Sequence, residues 1–172
     1  MLTINAFKKT DLNEIIESFI KIKWHKPKSL FLNYLEEQNL KERYIWIARI
    51  DNLFAGYITL KINSEYKSFK NQNIPEVNDF NVLPVFWRRG IGSKLLLKVE
   101  DFCKAHRYKE VGLGVGLSRD YGAAQKMYFK FGYIPDGMGI TYDEKYVKFG
   151  SNVKLDDSLV KIMDKSKTYP LS

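Results

Sequence analysis

Cysteine is almost absent from this chain, with Cys103 the sole one among 172 residues. A single thiol cannot close an internal disulfide, so a reducing compartment is expected. Histidine is nearly as scarce: His25 and His106 lie far apart, and no Cys/His cluster suggests a metal site. No apolar run reaches the roughly 18–20 residues that a membrane-spanning helix needs. The opening residues 1–7 lack a basic region followed by an apolar run, so they do not read as a signal peptide. Repeats, low-complexity tracts and a domain linker are missing as well. The expectation is one cytoplasmic domain over residues 1–172, off the membrane.

The chain is rich in apolar residues (45%) and aromatics (15%), enough to build a core without disulfides or metals. Its formal net charge is +8, and most of its 28 basic residues are lysine. Such an excess suits a solvated surface and also attracts anions: phosphates, an acidic acceptor or nucleic acid. No basic helix, zinc finger or aromatic RNA-binding signature accompanies the charge, which argues against nucleic acid as the partner.

Hydrophobic spacing gives the order β-α-α-β-β-β-α-β-α-β-β. Residues 3–7 read as an opening strand. Thr10 caps a helix with the stripe Leu12, Ile15, Ile16, Phe19 and Ile20, and Ser29 caps a second with Leu30, Phe31, Tyr34 and Leu35. Strands at 44–50 and 53–62 flank the turn dipeptide Asp51-Asn52, a hairpin signal. Residues 63–74 show no period and read as a mobile loop. A strand at 76–83 ends at Pro84, and an amphipathic helix over 92–106 points Leu95, Leu96, Val99, Phe102 and Cys103 inward. A strand at 110–115, a helix at 121–131 stopped by Gly132, a strand beginning at 133–135 and a last strand at 158–163 complete the order. Residues 137–157 give no clear assignment. Hairpins followed by a strand-helix-strand crossover make an α+β layered domain with a mixed sheet.

The segment Val82-Leu83-Pro84-Val85-Phe86-Trp87-Arg88-Arg89-Gly90-Ile91-Gly92 runs from strand through turn into helix. The first turn of a helix leaves N–H groups unpaired and carries partial positive charge. Glycines at 90 and 92 remove the Cβ atoms that would keep an anion away, and Arg88, Arg89 and Lys94 add charge. The P-loop order is absent around Gly92-Ser93-Lys94, and neither this segment nor Gly112-Leu113-Gly114-Val115-Gly116 has dinucleotide-fingerprint spacing. The latter glycines alternate, so Gly112, Gly114 and Gly116 share one strand face, where a helix or a thin ligand arm can pack close to the backbone.

On these residues the chain resembles the GNAT superfamily of acyl-CoA N-acyltransferases. Arg89-Gly90-Ile91-Gly92 is similar to the second half of the family's [Gln/Arg]-x-x-Gly-x-[Gly/Ala] signature, set between its fourth strand and third helix. Ala124-Gln125-Lys126-Met127-Tyr128 with Phe131-Gly132-Tyr133 is similar to the family's Ala-x-x-[Leu/Phe]-Tyr-x-x-x-Gly-[Phe/Tyr] segment. A helix and a strand separate the two elements, as in the family. Trp87 stands where the family has Arg or Gln, and Tyr121 where many members carry a cofactor-contacting Asn.

The resemblance implies a single-domain GNAT-like fold with a mixed, mostly antiparallel central sheet flanked by helices and splayed between the fourth and fifth strands. It implies acetyl-CoA as co-substrate and direct transfer of its acetyl group to an amine acceptor, a small molecule or a protein amine. The cofactor would lie on Arg88, Arg89, Gly90, Ile91, Gly92, Ser93 and Lys94, with backbone N–H groups of Asn81, Val82 and Leu83 facing its arm and the oxyanion. Tyr128 is the candidate acid for the leaving thiolate, and Asp79 and Glu76 are candidate bases, since an alkylammonium near pKa ~10 must lose a proton before attack. The loop between the first two helices, with Trp24 and His25 among lysines, would help cover the acceptor. A catalytically silent acyl-CoA sensor is the rival reading, motivated by Trp87 and Tyr121, and a homodimer is compatible with either.

Overall fold

The computed structural model describes residues 1–166. Its elements are β1 (Leu2–Ala6), α1 (Leu12–Lys21), α2 (Lys28–Asn39), β2 (Arg43–Ile50), β3 (Leu53–Lys61), α3 (Lys67–Gln72), β4 (Glu76–Val82), α4 (Ile91–Ala105), β5 (Glu110–Gly116), α5 (Gly122–Lys130), β6 (Ile134–Pro135), β7 (Thr141–Tyr142), β8 (Lys145–Tyr146) and β9 (Leu159–Ser166). The class is α+β, with a mixed, mostly antiparallel sheet flanked by helices. The chain forms two compact units, residues 1–62 with 78–102, and residues 63–77 with 103 onward. No helix among the described residues is long and apolar enough to cross a membrane.

In the first unit β1, β2 and β3 pair antiparallel, and β4 follows β3 in the strand order. The β2–β3 hairpin turns at Asp51 (φ +48°) and Asn52 (φ +67°), the two left-handed residues that match strand twist. Alternation along β2 then serves two layers. Ile45 and Ile47 join Phe7, Leu12, Ile15, Phe19, Phe31 and Phe54 in one core. Tyr44 and Trp46 point the other way and meet Phe102 of α4, at ring-centroid distances of 4.2 and 5.3 Å.

The stripe of α1 buries Leu12, Ile15 and Phe19, but Ile20 is exposed. At 3.6 residues per turn, position 20 lies about 90° round the helix from the stripe's centre. Helix α2 begins at Lys28 after Pro27 rather than from a Ser29 cap. Arg49 ties α1 to β2, donating to Asp11 at 2.9 Å and Glu14 at 2.7 Å, while Glu14 also accepts the Phe54 N–H at 2.8 Å. Where β3 meets β4, a Cβ on Gly56 would sit 2.4 Å from the Asn81 carbonyl oxygen, so only glycine fits.

In the second unit the first residues of β4 pair parallel with β5, Glu76 with Gly112 and Val77 with Leu113. β5 pairs antiparallel with β9 from Glu110↔Ser166 to Gly116↔Val160, and β6 and β7 pair antiparallel along the other edge of β9. Residues 63–74, expected as a mobile loop, instead carry α3: Tyr66, Phe69 and Ile74 are buried in a small core with Ile162. The alternating glycines of β5 do mark close approach, and aromatic rings make it. A Cβ on Gly112 would lie 2.1 Å from the Phe69 ring, and one on Gly116 2.4 Å from the Tyr121 ring. Residues 137–157, left unassigned by spacing, hold the β7–β8 hairpin, turned by Asp143 and Glu144 at φ +46° and +64°.

Candidate active site

β4 ends at Val82, and Pro84 opens a single 3₁₀ turn, Pro84–Phe86, in which Phe86 N–H donates to Leu83 at 2.9 Å. Arg88 (φ +60°) and Gly90 (φ +74°) then reverse the chain into α4. The N–H of Lys94 closes the first turn on the Gly90 carbonyl at 3.1 Å. The amides of Ile91, Gly92 and Ser93 precede it and have no intrahelical acceptor. A Cβ built on Gly90 meets nothing within 4 Å, so the space beside Gly90 is open, and its left-handed φ is what calls for glycine. Arg88, Arg89 and Lys94 are exposed around it, and the Arg89 guanidinium lies 5.5 Å over the Phe86 ring. An open helix start ringed by three cations suits a diphosphate. Trp87 is 57% exposed, and its indole N–H donates to the Val82 carbonyl at 2.7 Å, pinning the turn to the strand end.

Asp79 leaves the strand alternation through a left-handed φ of +67°, a conformation that Asp tolerates better than most residues. Its carboxylate accepts four hydrogen bonds, two on each oxygen. Lys26 Nζ (2.7 Å) and Asn81 Nδ2 (2.6 Å) donate to Oδ1. Tyr34 (3.0 Å) and Tyr57 hydroxyls donate to Oδ2. A carboxylate offers about four lone-pair sites, so none is left to take a proton, which argues against the expected role of Asp79 as a base. Asp79 and Asn81 are satisfied within the protein, by Lys26, Tyr34, Tyr57 and their own mutual bond. Burial first, then the charge of Asp79, hold the Tyr34 and Tyr57 hydroxyls above the ordinary tyrosine value.

A second layer supports this cluster. Arg43, buried, donates to Glu37, to Thr59 at 2.8 Å and to Asn78 at 3.3 Å, and its guanidinium lies 4.3 Å over the Tyr34 ring. Of the three strand-end amides expected to face the oxyanion, that of Leu83 is spent on the Ala55 carbonyl at 2.9 Å, inside the sheet.

In the second unit Glu76 accepts from Ser64 Oγ at 2.6 Å. Tyr128 is 6% exposed on α5, with its ring edge-on to Tyr133 at 5.8 Å. Burial, followed by the neighbouring Tyr121, pushes its hydroxyl above the usual value. Tyr121 donates to Asp157 at 2.7 Å. His25 is exposed, and Cys103 is a buried free thiol. Lys26, Tyr34 and Tyr57 escape a reading by spacing. Lys26 looks like any lysine of a basic loop, and the tyrosines look like core aromatics; only the fold brings them onto Asp79.

A family model described as the acetyltransferase (GNAT) family matches residues 12–133, which take in the turn at 84–92 and the helix carrying Tyr128. The chain belongs to the GNAT acetyltransferase family and is an acyltransferase that uses acetyl-CoA as co-substrate. Solved structures share the fold. An N-acetyltransferase from Staphylococcus aureus Mu50 superposes with a TM-score of 0.73 at 18% identity, over 96% of this chain and 98% of that one. The ribosomal-protein-S18-alanine N-acetyltransferase from Escherichia coli gives 0.70 at 17% identity, over 96% and 94%. The PaiA N-acetyltransferase from Thermoplasma acidophilum, solved in complex with coenzyme A, gives 0.66 at 21% identity, over 96% and 99%. No curated protein sequence matches the chain.

Proposed function

We propose that this chain acetylates a primary amine by direct attack within a ternary complex, in the cytoplasm. The observation that carries the reading is the open start of α4, where unpaired amides, a left-handed Gly90 and three cations stand together. Acetyl-CoA supplies an activated acyl carbonyl and a thiolate leaving group. Ile91, Gly92 and Ser93 give their amides to its diphosphate, and Arg88, Arg89 and Lys94 screen the charge. The amides of Asn81 and Val82 are the remaining strand-end candidates for the acetyl oxygen, given the bond from Leu83 to Ala55.

The Tyr128 hydroxyl donates to the departing sulfur. Its raised value keeps the proton in place through neutral pH, which suits a donor and excludes a base. Glu76, which also accepts from Ser64, is the carboxylate that takes the amine proton, directly or through water.

Titration with acetyl-CoA tests the cofactor site: an absence of binding at high micromolar concentration would refute it. Release of free thiol across an amine panel tests the chemistry. Tight binding with no thiol released from any amine would favour the sensor reading instead. Tyr128→Phe should lower kcat roughly 100-fold with acetyl-CoA affinity unchanged. In the wild type no loss of rate from Tyr128 ionisation should appear below about pH 10, since the folded value lies above the ordinary one.

A further inference from the structure

The loop between α1 and α2 holds Lys23 and Lys26 and is bounded by Lys21 and Lys28 at the helix ends. Three of these lysines are exposed; Lys26 alone turns inward, its side chain 22% exposed. An ammonium is strongly hydrated and enters a protein only against compensating partners. Here the partners are the Asp79 carboxylate, 14% exposed, at 2.7 Å, and the face of the Tyr57 ring, whose centroid lies 5.9 Å away. With Lys26 set aside, the remaining groups are one carboxylate, the hydroxyls of Tyr34 and Tyr57, an aromatic face and the Asn81 amide. That set is what recognises an alkylammonium: a charge-assisted acceptor beside a π face.

We infer that the Asp79–Tyr34–Tyr57 cluster is an ammonium subsite for the acceptor, and that Lys26 is its internal occupant, displaced when a cationic acceptor enters. The inference rests on the acetyltransferase reading and names its substrate class. An ammonium bonded to Asp79 has no lone pair with which to attack a thioester. The acceptor is therefore a dication: one amine anchors on Asp79 and a second amine, further along the chain, receives the acetyl group. Displacement is inexpensive for Lys26, which sits on a loop, regains hydration and side-chain freedom outside, and hands its ion pair to the incoming ammonium.

The test is isothermal titration of the full chain with 1,4-diaminobutane, with butylamine as the monocation control. Lys26→Met and Lys26→Gln should each bind the diamine about tenfold more tightly than the wild type, because the competing ammonium is gone. Adding Asp79→Asn to either variant should abolish that gain. Two replacements at 26 guard against one that fails to fold, and urea midpoints confirm that each variant is native. Equal diamine affinity in the wild type and both Lys26 variants would overturn the subsite, as would a gain that survives Asp79→Asn. Acetyl-CoA titrations of the same proteins keep the two readings apart: intact acetyl-CoA binding beside a negative diamine result removes the ammonium subsite alone.

Discussion

The two units solve the same problem, holding a β-sheet rigid around polar work, by opposite means. Residues 1–62 with 78–102 enclose charge: Arg43, Asp79 and Lys26 are held among Tyr34, Tyr57 and Phe31 by hydrogen bonds that leave little to water. Residues 63–77 with 103–166 remove side chains instead, and the glycines of β5 admit the rings of Phe69 and Tyr121 onto the strand. A network of paired charges fails badly when one member is lost, because the partner stays buried and unpaired. A glycine seat fails in proportion to how far the ring it receives can move. The first unit should therefore break sharply and the second yield.

Arg43→Leu should show the largest effect. It removes the donor shared by Glu37, Thr59 and Asn78, and breaking a buried pair costs about 3–5 kcal/mol. Urea denaturation reads the loss. A cost under about 1 kcal/mol would mean that the network is solvated and that the contrast between the units is false.

The glycines sharpen the same contrast at about 1–3 kcal/mol, the usual cost of overpacking. Gly56→Ala drives a methyl against the Asn81 carbonyl and the Val82 Cα, both backbone, and should cost about 3 kcal/mol. Gly112→Ala meets the Phe69 ring first, a side chain that can tilt, and should cost about 2 kcal/mol. Paired denaturation curves decide it, and equal costs would show that Phe69 is as fixed as the sheet.

Legibility in the sequence follows the range of the interaction. The β2–β3 hairpin was readable because Asp51-Asn52 is a local signal with a local cause, whereas the β7–β8 hairpin turns on Asp143-Glu144, a pair that advertises no left-handed turn. The α4 turn was readable for the same reason as the first hairpin: Gly90 and Gly92 lie beside Arg88, Arg89 and Lys94 in sequence. Helix α3 was hidden because its order comes from Phe69 seated on Gly112, 43 positions away in sequence. The glycine alternation in β5 announced a close neighbour without saying which. Asp79 is a candidate base from the resemblance, but its four donors come from residues 26, 34, 57 and 81, so spacing could not show that its lone pairs are filled.

The smallest effect is expected at the turn itself, where Gly90 and Gly92 look alike in sequence and differ in backbone. Gly90 has φ +74° and open space where a Cβ would go, so alanine there meets no clash and only the left-handed penalty, roughly 1–2 kcal/mol. Gly92 lies inside α4, where alanine is the better helix former by about 1 kcal/mol, so Gly92→Ala should be neutral or stabilising. Thermal unfolding should therefore move in opposite directions for the two substitutions. Acetyl-CoA titration adds the functional half. Relaxing the turn at Gly90 swings the amides of Ile91 to Ser93 away from their common target, so Gly90→Ala should lose the most affinity, whereas Gly92→Ala keeps the backbone that presents them and loses only what its added methyl costs the approaching anion. If both substitutions leave affinity untouched, the diphosphate is held elsewhere, and the open start of α4 is a turn that needs glycine for geometry alone.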